Sequence, residues 1–328
     1  MWTAFSVALL TAGGIAMYAG WAFTMAARGA PVWLLVVGAP LLYGAIVLVI
    51  MAVYFATAWL YRAERPPQSR IGLAATLRLV VNEYRALLGS AARMVFYRFL
   101  VSDPAPAAAQ APVLLLHGVL CNAGVWASFA RRLGARGVRP VYTISYGPPL
   151  ASIDLFADQF AQKIDAILSA TGAKAVIVVA HSMGGLVALA YCRKYGAHKI
   201  RRLISLATPY HGSIHAMCFP GVCLTELRPR SVWLRRLHRR AFTMPPISSI
   251  WSWHDSMVAP QTSCKLKGAQ NIALVGVGHN AMLADPGAFR RVVALIRAEQ
   301  ARAESGDRAL PLTSESPASV VQRPSARV

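Results

Sequence analysis

Short apolar runs alternate with amphipathic segments through residues 112–300. Each run has the length and the Val, Ile and Leu content of a buried strand and is bounded by turn residues. Runs of this kind, separated by helical periodicity, predict a mostly parallel sheet with helices on both faces, which is an α/β fold. The predicted strands are 113–116, 140–145, 175–179, 200–206, 247–252 and 271–275, and the predicted helices are 123–135, 153–170, 185–195 and 286–299.

Residues 212–246 interrupt this alternation. The segment is rich in Arg and Pro but also carries large apolar side chains, among them Phe219, Trp233 and Leu237. Connections this long inside a compact domain are usually functional. We therefore expect this lid segment, residues 212–246, to cover a binding site in the domain of residues 112–300, which is large enough for a single core.

The first 61 residues have a different pattern. Residues 1–27 and 30–61 are two uncharged apolar stretches separated by Arg28 and Gly29. Each exceeds the roughly 20 residues that span a bilayer, and neither has the polar face that a soluble helix of this length needs. A cleaved signal peptide fits less well, because no Lys or Arg precedes Arg28 and a second apolar stretch follows. The pattern predicts a transmembrane hairpin of two helices.

The charges that flank the hairpin predict its orientation. Arg62, Arg65, Arg70 and Arg78 follow the second stretch, whereas Arg28 is alone between the two. Positively charged flanks stay in the cytoplasm. Both ends of the hairpin and the α/β domain are therefore expected on the cytoplasmic side of a bacterial inner membrane.

Residues 62–111 connect the hairpin to the domain. Apolar positions within 69–100 recur at helical spacing, with arginines roughly along another face. Such a basic amphipathic helix either lies in the membrane interface or packs on the domain, and the sequence leaves both open. A linker rich in Pro and Ala follows it at 102–112. At the other end of the chain, residues 301–328 have no apolar period and are expected to be disordered.

The chain is strongly basic, with 34 Lys and Arg against 13 Asp and Glu and a formal net charge of +21. Such a balance often indicates nucleic-acid binding. Here the basic residues are scattered over linker, lid segment and tail, and no nucleic-acid motif is present. An anionic membrane surface, which attracts each nearby Lys or Arg by about 1 kcal/mol, is therefore the predicted partner. Cys218 and Cys223 are close enough to bridge in an oxidising space, but free thiols are expected in the cytoplasm.

The candidate chemistry starts at Ser182, in the sequence Ala180-His181-Ser182-Met183-Gly184-Gly185 after the apolar run 175–179. A nucleophile elbow is a strand-to-helix turn so tight that the residues two before and two after the nucleophile must be small. Ala180 and Gly184 occupy those positions. The motif predicts a nucleophilic serine, although an ordinary glycine-containing turn also fits five residues of sequence.

A nucleophilic serine needs a base and an acid, which follow such an elbow in the order Ser, acid, His. His279 lies in a glycine-flanked loop just after the last predicted strand, where the base is expected. Between Ser182 and His279 the acidic residues are Glu226 and Asp255 alone. Asp255 follows the penultimate predicted strand, whereas Glu226 lies among the arginines of the lid segment. We therefore predict Asp255 as the acid.

Two backbone N–H groups must also stabilise the developing oxyanion, one after the nucleophile and one from a loop early in the sheet. The first is that of Met183. The second is expected after the strand 113–116, where His117-Gly118-Val119 supplies a turn, and we predict Val119 as the donor. Because His117 precedes the nucleophile, we expect it and Gly118 to organise this loop.

Together these motifs resemble an α/β-hydrolase of the bacterial triacylglycerol lipase type, from about Pro112 to about Gln300. The matching pieces are Leu115-Leu116-His117-Gly118, Ala180-His181-Ser182-Met183-Gly184-Gly185, Leu206-Ala207-Thr208-Pro209-Tyr210-His211-Gly212-Ser213, Trp253-His254-Asp255-Ser256-Met257-Val258 and Gly278-His279. The resemblance implies ester hydrolysis by a serine triad under a lid. Many secreted relatives hold a structural calcium with aspartates, but the shortage of acids here predicts no metal site, and no cofactor is expected.

Three function classes remain. The first is a membrane-anchored serine hydrolase, a lipase or carboxylesterase that cleaves acyl esters of lipid-like substrates. The second keeps the triad but transfers the acyl group to an acceptor other than water, or cleaves a thioester. The third is a noncatalytic hydrolase-like membrane scaffold, which an intact triad disfavours. The sequence leaves the acyl chain, the head group and the oligomeric state open.

Overall fold

The centre of the molecule is a parallel sheet. A computed structural model describes residues 2–239 and 242–306, with side chains from residue 13 onward. Its strands are β1 (Val113–Leu116), β2 (Val141–Thr143), β3 (Val176–His181), β4 (Ile200–Leu206), β5 (Ile247–Ser252) and β6 (Gln270–Leu274). They form one sheet in the order β2-β1-β3-β4-β5-β6, and all neighbouring strands are parallel. The α/β fold predicted from the apolar runs is confirmed.

The strand order reverses at β1. This strand pairs with β2 on one side, where Val113 lies opposite Val141, and with β3 on the other, where Val113 lies opposite Ile177. In open α/β sheets the carboxyl ends of the strands at such a reversal border a crevice in which ligands bind. The loops that follow β1 and β3 therefore lie where a functional site is expected.

Helices cover both faces of the sheet. They are α5 (Ala127–Ala135), α6 (Ile153–Thr171), α7 (Gly184–Tyr195) and α10 (Pro286–Glu304). Alternate side chains of a strand point to opposite faces. Leu114 and Leu116 of β1 accordingly belong to the core beneath α6 and α7, whereas Val113 and Leu115 belong to the core beneath α5 and α10. Two apolar cores thus hold the sheet rigidly below its loops.

Helix α10 is longer than the sequence predicts. Asp285 caps its first turn by accepting the N–H of Ala288 at 2.7 Å. The helix continues to Glu304, past the start of the tail that was expected to be disordered from 301. Alanines favour the extension, as does Arg302, which pairs with Glu299 one turn earlier at 2.9 Å. The remainder of the predicted tail, 307–328, lies outside the described residues.

The lid segment contains a short 3-10 helix at Ile214–Met217 and the helices α8 (Val222–Leu227) and α9 (Val232–His238). Its large apolar side chains divide into two groups. Cys223, Leu224, Leu227, Trp233, Leu234 and Leu237 are buried, whereas Met217, Phe219, Val222 and Val232 are exposed. The segment is thus built into the core on one side and presents an apolar surface on the other. Its two cysteines are free thiols.

Two long helices precede the domain, α1 (Trp2–Ala27) and α2 (Val32–Leu60). Among the described residues, α2 alone is both long and apolar enough to cross a membrane, with a mean hydropathy of 2.6. The neighbouring α1 has 26 residues and contacts α2 where the hydroxyl of Tyr18 donates to the carbonyl of Leu35 at 2.6 Å. One candidate span is therefore found, and the hairpin of two spans remains a proposal.

Helix α3 (Leu73–Val95), followed by the single turn α4 (Tyr97–Leu100), connects these helices to the domain. The hydroxyl of Tyr43 in α2 donates to the carbonyl of Leu88 at 3.0 Å. On the domain side, Nδ2 of Asn122 donates to the carbonyl of Met94 at 2.8 Å. The large apolar side chains that α3 leaves exposed are Leu73, Leu77 and Val81, with Arg78, Asn82 and Arg85 exposed beside them. The helix therefore packs on the domain and still leaves an apolar face for a membrane interface.

Candidate active site

Ser182 lies in the tight turn between β3 and α7. Its φ of 55° is in the left-handed region, which residues with a side chain rarely adopt. The surrounding chain holds this conformation. The N–H of Ser182 donates to the carbonyl of Leu206 at 2.8 Å, and the hydroxyl of Thr208 donates to the carbonyl of Ser182 at 2.9 Å. This is the strained strand-to-helix geometry of a nucleophile elbow.

Glycines allow the elbow to pack tightly. A Cβ on Gly184 would lie 2.6 Å from the carbonyl oxygens of Leu116 and His117. A Cβ on Gly185 would lie 2.2 Å from the hydroxyl oxygen of Thr208. Both distances are far shorter than ordinary van der Waals contacts. The start of α7 can therefore lie against the end of β1 only with glycine at position 184, which explains the small residue two places after Ser182, and Gly185 allows it to lie against Thr208.

His279 and Asp255 form a buried pair. Nδ1 of His279 lies 3.0 Å from Oδ1 and 2.9 Å from Oδ2 of Asp255. The carboxylate is itself fixed, because Oδ1 accepts the N–H groups of Met257 and Val258, each at 2.8 Å. A carboxylate held in this way orients the imidazole and leaves Nε2 for proton transfer.

This pair lies beside the elbow at the carboxyl edge of the sheet. Ser182 follows β3, Asp255 follows β5 and His279 follows β6. His181, which precedes Ser182, places its Nε2 3.1 Å from the carbonyl oxygen of His279. The centroids of the two rings are 4.7 Å apart. The structure therefore brings the three predicted residues to one edge of the sheet.

Three buried histidines in this region differ in their affinity for a proton. Burial lowers the pKa of His117 to about 4 and, with the nearby charge of His279, that of His181 to about 3. Burial also lowers the pKa of His279, but the charge and hydrogen bond of Asp255 and the charge of Glu83 outweigh it and raise this pKa above its ordinary value. Of the three, His279 is the one suited to accept a proton near neutral pH.

The loop after β1 is organised by His117. Its ring stacks on Tyr146, with centroids 4.0 Å apart. Nε2 accepts the N–H of Tyr146 at 3.4 Å, and Nδ1 lies 2.8 Å from the carbonyl oxygen of Gly118. A Cβ on Gly118 would lie 2.9 Å from Cβ of Ser182, so this loop touches the elbow. Both ring nitrogens of His117 are thus engaged, one within the loop and one with the chain that follows β2.

Val119 and Met183 are the predicted oxyanion donors. Within the described part of the chain, neither backbone N–H donates a hydrogen bond. Both residues line one narrow pocket, whose other walls include Tyr146, Leu150 and Cys223. N–H groups that have no acceptor in the protein are available to an oxyanion. The pocket therefore has the donors that acyl transfer needs.

The lid segment forms one wall of this pocket and is anchored by Glu226. The N–H groups of Val222 and Cys223 donate to the carbonyl of Leu150 at 2.9 and 3.3 Å. The carboxylate of Glu226 accepts the hydroxyl of Ser152 at 2.8 Å and the N–H of Ile153 at 2.7 Å, where α6 begins. Burial raises the pKa of this carboxyl. Glu226 thus joins the lid segment to the start of α6, and none of its hydrogen bonds is to His279.

Gln261 is a buried residue of the site that the sequence analysis missed. Its Nε2 lies 3.3 Å from the carbonyl oxygens of Asp255 and Ala58, and its Oε1 accepts the N–H of Ala63 at 3.2 Å. The loop that carries Asp255 is therefore tied to the end of α2. No spacing or motif in the sequence indicates this contact, because nearly 200 residues separate its two sides.

Glu83 is the second missed residue, and here the sequence does carry a signal. Before Asp103 the chain has two acidic residues, Glu64 and Glu83. Glu83 follows Leu79 by four positions, so both lie on one face of α3, and both are buried. An acid on the apolar face of an amphipathic helix is a candidate for a functional buried charge.

The described residues offer a strained serine, a buried His–Asp pair and two free N–H groups. These are the components of acyl transfer through a covalent intermediate. Within the same residues, no group of three or more His, Cys, Asp or Glu side chains has an arrangement that could hold a metal ion.

Comparison with known proteins agrees with this fold. Residues 111–222 match the family model described as the alpha/beta hydrolase fold. Among solved structures, the lipase BlEst2 of Bacillus licheniformis in its mature form aligns with a TM-score of 0.52 at 16% identity, over 60% of this chain and 96% of that one. Lipase B of Aspergillus fumigatus aligns with a TM-score of 0.50 at 19% identity, over 62% of this chain and 57% of that one.

Identities this low indicate a shared fold and no more. The matched region contains β1 to β4 and the elbow, with three of the five motifs that carry the resemblance to lipases, whereas Asp255 and His279 lie beyond it. Residues 112–300 therefore have the α/β-hydrolase fold, which they share with the lipases to which the chain is similar.

Proposed function

We propose that the protein is a membrane-anchored serine ester hydrolase that cleaves acyl esters of lipid-like substrates. The observation that carries this proposal is the buried His279–Asp255 pair beside the strained Ser182 elbow. Nδ1 of His279 lies 3.0 and 2.9 Å from the two carboxylate oxygens of Asp255. A surface histidine needs no such carboxylate partner. An ordinary glycine-containing turn needs no serine with a left-handed backbone conformation. Both features are expected of a triad.

In the first half of the reaction, Ser182 Oγ attacks the acyl carbonyl carbon while His279 Nε2 accepts the hydroxyl proton. The carbonyl oxygen becomes negatively charged and is stabilised by the N–H groups of Val119 and Met183. Asp255 stabilises the imidazolium that forms. His279 then gives its proton to the leaving alcohol oxygen as the C–O bond breaks, which leaves an acyl ester on Ser182.

In the second half, water attacks the acyl carbonyl and gives a proton to His279. The same two N–H groups stabilise the second tetrahedral intermediate. When it collapses, His279 returns the proton to Ser182 Oγ and the free carboxylic acid leaves. An alcohol in place of water gives acyl transfer by the same steps, and a thioester gives a thiol as the first leaving group.

A fluorophosphonate probe and a series of p-nitrophenyl esters test this proposal. We expect the probe to bind covalently to Ser182, as seen by mass spectrometry, and the esters to release free acid. Release of acid with added alcohols present indicates hydrolysis, whereas esters of those alcohols indicate an acyltransferase. Hydrolysis of acyl thioesters in preference to oxygen esters indicates a thioesterase. A protein that is folded but not labelled would be a noncatalytic scaffold.

The membrane anchor rests on α2, whose 29 residues form one candidate span, and on the apolar stretch of α1. The exposed apolar face of α3 and the +21 net charge of the chain favour contact with an anionic membrane surface. With two spans, both termini lie on one side, and the arginines after Tyr61 place that side in the cytoplasm of a bacterial cell.

A reporter fused after Val328 tests this topology. Alkaline phosphatase, which is active only in the periplasm, should be inactive at this position, and a fluorescent protein that folds in the cytoplasm should be active. High phosphatase activity would contradict the cytoplasmic orientation. It would also place Cys218 and Cys223 in an oxidising space, where they could form a disulfide.

A further inference from the structure

Glu83 of α3 is fully buried at 0% exposure, and its carboxylate accepts four hydrogen bonds. Oε1 accepts from the hydroxyl of Ser256 at 2.7 Å and from the N–H and Nδ2 of Asn280 at 3.0 and 2.9 Å. Oε2 accepts the N–H of Ala281 at 2.8 Å. Ser256 directly follows Asp255, and Asn280 directly follows His279. One carboxylate therefore joins the two loops that carry the His–Asp pair.

This carboxylate has no cationic partner among the described residues, since none of their salt bridges includes Glu83. Glu299 is equally buried, but it pairs with Arg202 at 2.8 Å and with Arg302 at 2.9 Å. An unpaired buried charge is costly, and such groups concentrate at functional sites. The two buried glutamates thus differ, and only Glu299 has the environment of a structural ion pair.

The loop that carries His279 approaches Glu83 unusually closely. A Cβ on Gly278 would lie 2.4 Å from Oε2 of Glu83, so only glycine permits this contact. The N–H of His279 donates to the hydroxyl of Ser256 at 3.4 Å, and that hydroxyl donates to Glu83. The main chain is therefore held before His279 by close packing on Glu83, at His279 through Ser256, and after it by hydrogen bonds to Glu83.

We propose that Glu83 is a positioning residue for His279: from α3 it fixes the loop that presents the imidazole to Ser182. This inference deepens the proposed function and rests on His279 being the base. It implies that the α/β domain alone lacks part of its site, because α3 precedes the domain in sequence.

The charge of Glu83 acts on the same histidine. The titratable groups that face His279 are the carboxylates of Asp255 and Glu83 and the imidazoles of His181 and His215, whose own pKa values burial lowers. Carboxylates stabilise the imidazolium and so raise the pKa of His279. Removing the charge of Glu83 must lower this pKa. The base then becomes neutral, and active, at a lower pH than in the wild type.

Helix α3 also connects Glu83 to the candidate membrane span. The residue after Glu83 is Tyr84, and a Cβ on Gly44 of α2 would lie 2.6 Å from its hydroxyl oxygen. One turn of α3 thus contacts α2 on one side and the His279 loop on the other. The position of the span and the position of the catalytic base are therefore mechanically linked.

The test measures the rate of fluorophosphonate labelling at Ser182 as a function of pH, in full-length protein in detergent. This probe reports the reactivity of the serine without knowledge of the natural substrate. Glu83→Gln removes the charge and places its NH₂ group either against the N–H of Ala281 or against the N–H and Nδ2 of Asn280. We expect its maximal labelling rate to fall about 10- to 100-fold, the loss expected when a catalytic base is displaced by up to about 1 Å. We also expect the acid limb of its pH–rate profile, where the rate falls as His279 becomes protonated, to move to lower pH.

Two further variants separate positioning from packing. Glu83→Asp keeps the charge but shortens the side chain, so its rate should fall while its acid limb stays near that of the wild type. Leu79→Ala loosens the same buried face of α3 and leaves the hydrogen bonds of Glu83 in place, so its rate and acid limb should stay near those of the wild type. Circular dichroism checks that each variant is folded. If Glu83→Gln does not fold, the labelling rate of Glu83→Asp tests the inference.

Three results would overturn the inference. They are a wild-type rate and acid limb in Glu83→Gln, a wild-type rate in Glu83→Asp, and a loss in Leu79→Ala equal to that in Glu83→Gln. If the wild type itself is not labelled, the proposed function fails. The inference is then judged by NMR titration of ¹⁵N-labelled histidine: the pKa of His279 must be lower in Glu83→Gln than in the wild type, and an unchanged value refutes it.

Discussion

Ser182→Ala is expected to lower the hydrolysis of a p-nitrophenyl acyl ester by at least about 10⁴-fold, because the covalent step has no other nucleophile. The variant loses a single oxygen atom. Alanine keeps the Cβ that contacts Gly118, and the backbone bonds to Leu206 and Thr208 do not involve the side chain. The fold, membrane insertion and thermal stability should therefore match those of the wild type.

The rate of p-nitrophenol release by the purified variant measures this effect, with detergent extraction as the control for insertion. Ser305→Ala is a useful comparison, since the hydroxyl of Ser305 donates to the carbonyl of Arg302 at 3.1 Å at the exposed end of α10. It should retain most of the activity. A loss of less than about tenfold in Ser182→Ala would rule out Ser182 as the nucleophile.

Asp255→Asn should reduce turnover by on the order of 10⁴-fold, the loss expected when a triad histidine takes the wrong tautomer. The structure explains why the amide cannot avoid this. Oδ1 accepts two N–H groups, from Met257 and Val258, so the oxygen of Asn must take that place. Its NH₂ group then occupies the position of Oδ2, 2.9 Å from Nδ1 of His279. Nδ1 must therefore accept a hydrogen bond from this NH₂ group, and the imidazole proton moves to Nε2. A histidine with its proton on Nε2 cannot take the proton of Ser182.

Glu226→Gln is the matched control for this substitution. It changes the other acid between Ser182 and His279 in the same conservative way, but its partners are Ser152 and Ile153 at the start of α6. We expect near wild-type turnover and a loss of stability of about 1 kcal/mol, as for a weakened helix cap. Thermal denaturation measures the second effect. A large loss of activity in Glu226→Gln with little in Asp255→Asn would assign the acid to the lid segment.

The sheet could be predicted because its strands other than β6 are buried on both faces. Most of them therefore read as apolar runs, and β1, β4 and β5 have the predicted bounds. The same logic placed Ser182, Asp255 and His279, since the carboxyl ends of parallel strands meet at one edge. The end of α10 was harder to place, because the alanines and arginines that extend it to Glu304 have no apolar period.

Glu83 and Gln261 could not be assigned in this way. Their bonds to Asn280 and Ala63 join residues nearly 200 positions apart, and no periodicity reports such a contact. The amphipathic pattern of α3 showed that one face is buried, but a pattern does not name the surface that buries it. Which face packs on the domain and which remains exposed became clear only with the helix in place.

The burial pattern of α2 affects how far a lipid-like substrate must leave the bilayer before it meets Ser182. The buried residues of α2, which lie against α3 and the domain, are Gly44, Val47, Met51 and Ala58. The part of the helix before Gly44 contains no buried residue and is about 18 Å long at 1.5 Å per residue. The hydrocarbon core of a bilayer is about 30 Å thick. If α2 spans it, lipid must extend past Gly44 and reach the level of α3.

An ester could then meet Ser182 while most of its acyl chain stays in the bilayer. Moving that chain into water costs about 0.8 kcal/mol per methylene, which is on the order of 12 kcal/mol for a palmitoyl chain. A soluble lipase must recover this free energy with a long apolar pocket. Here the narrow pocket beside Val119 and Met183 need accommodate only the ester group and the first carbons of the chain.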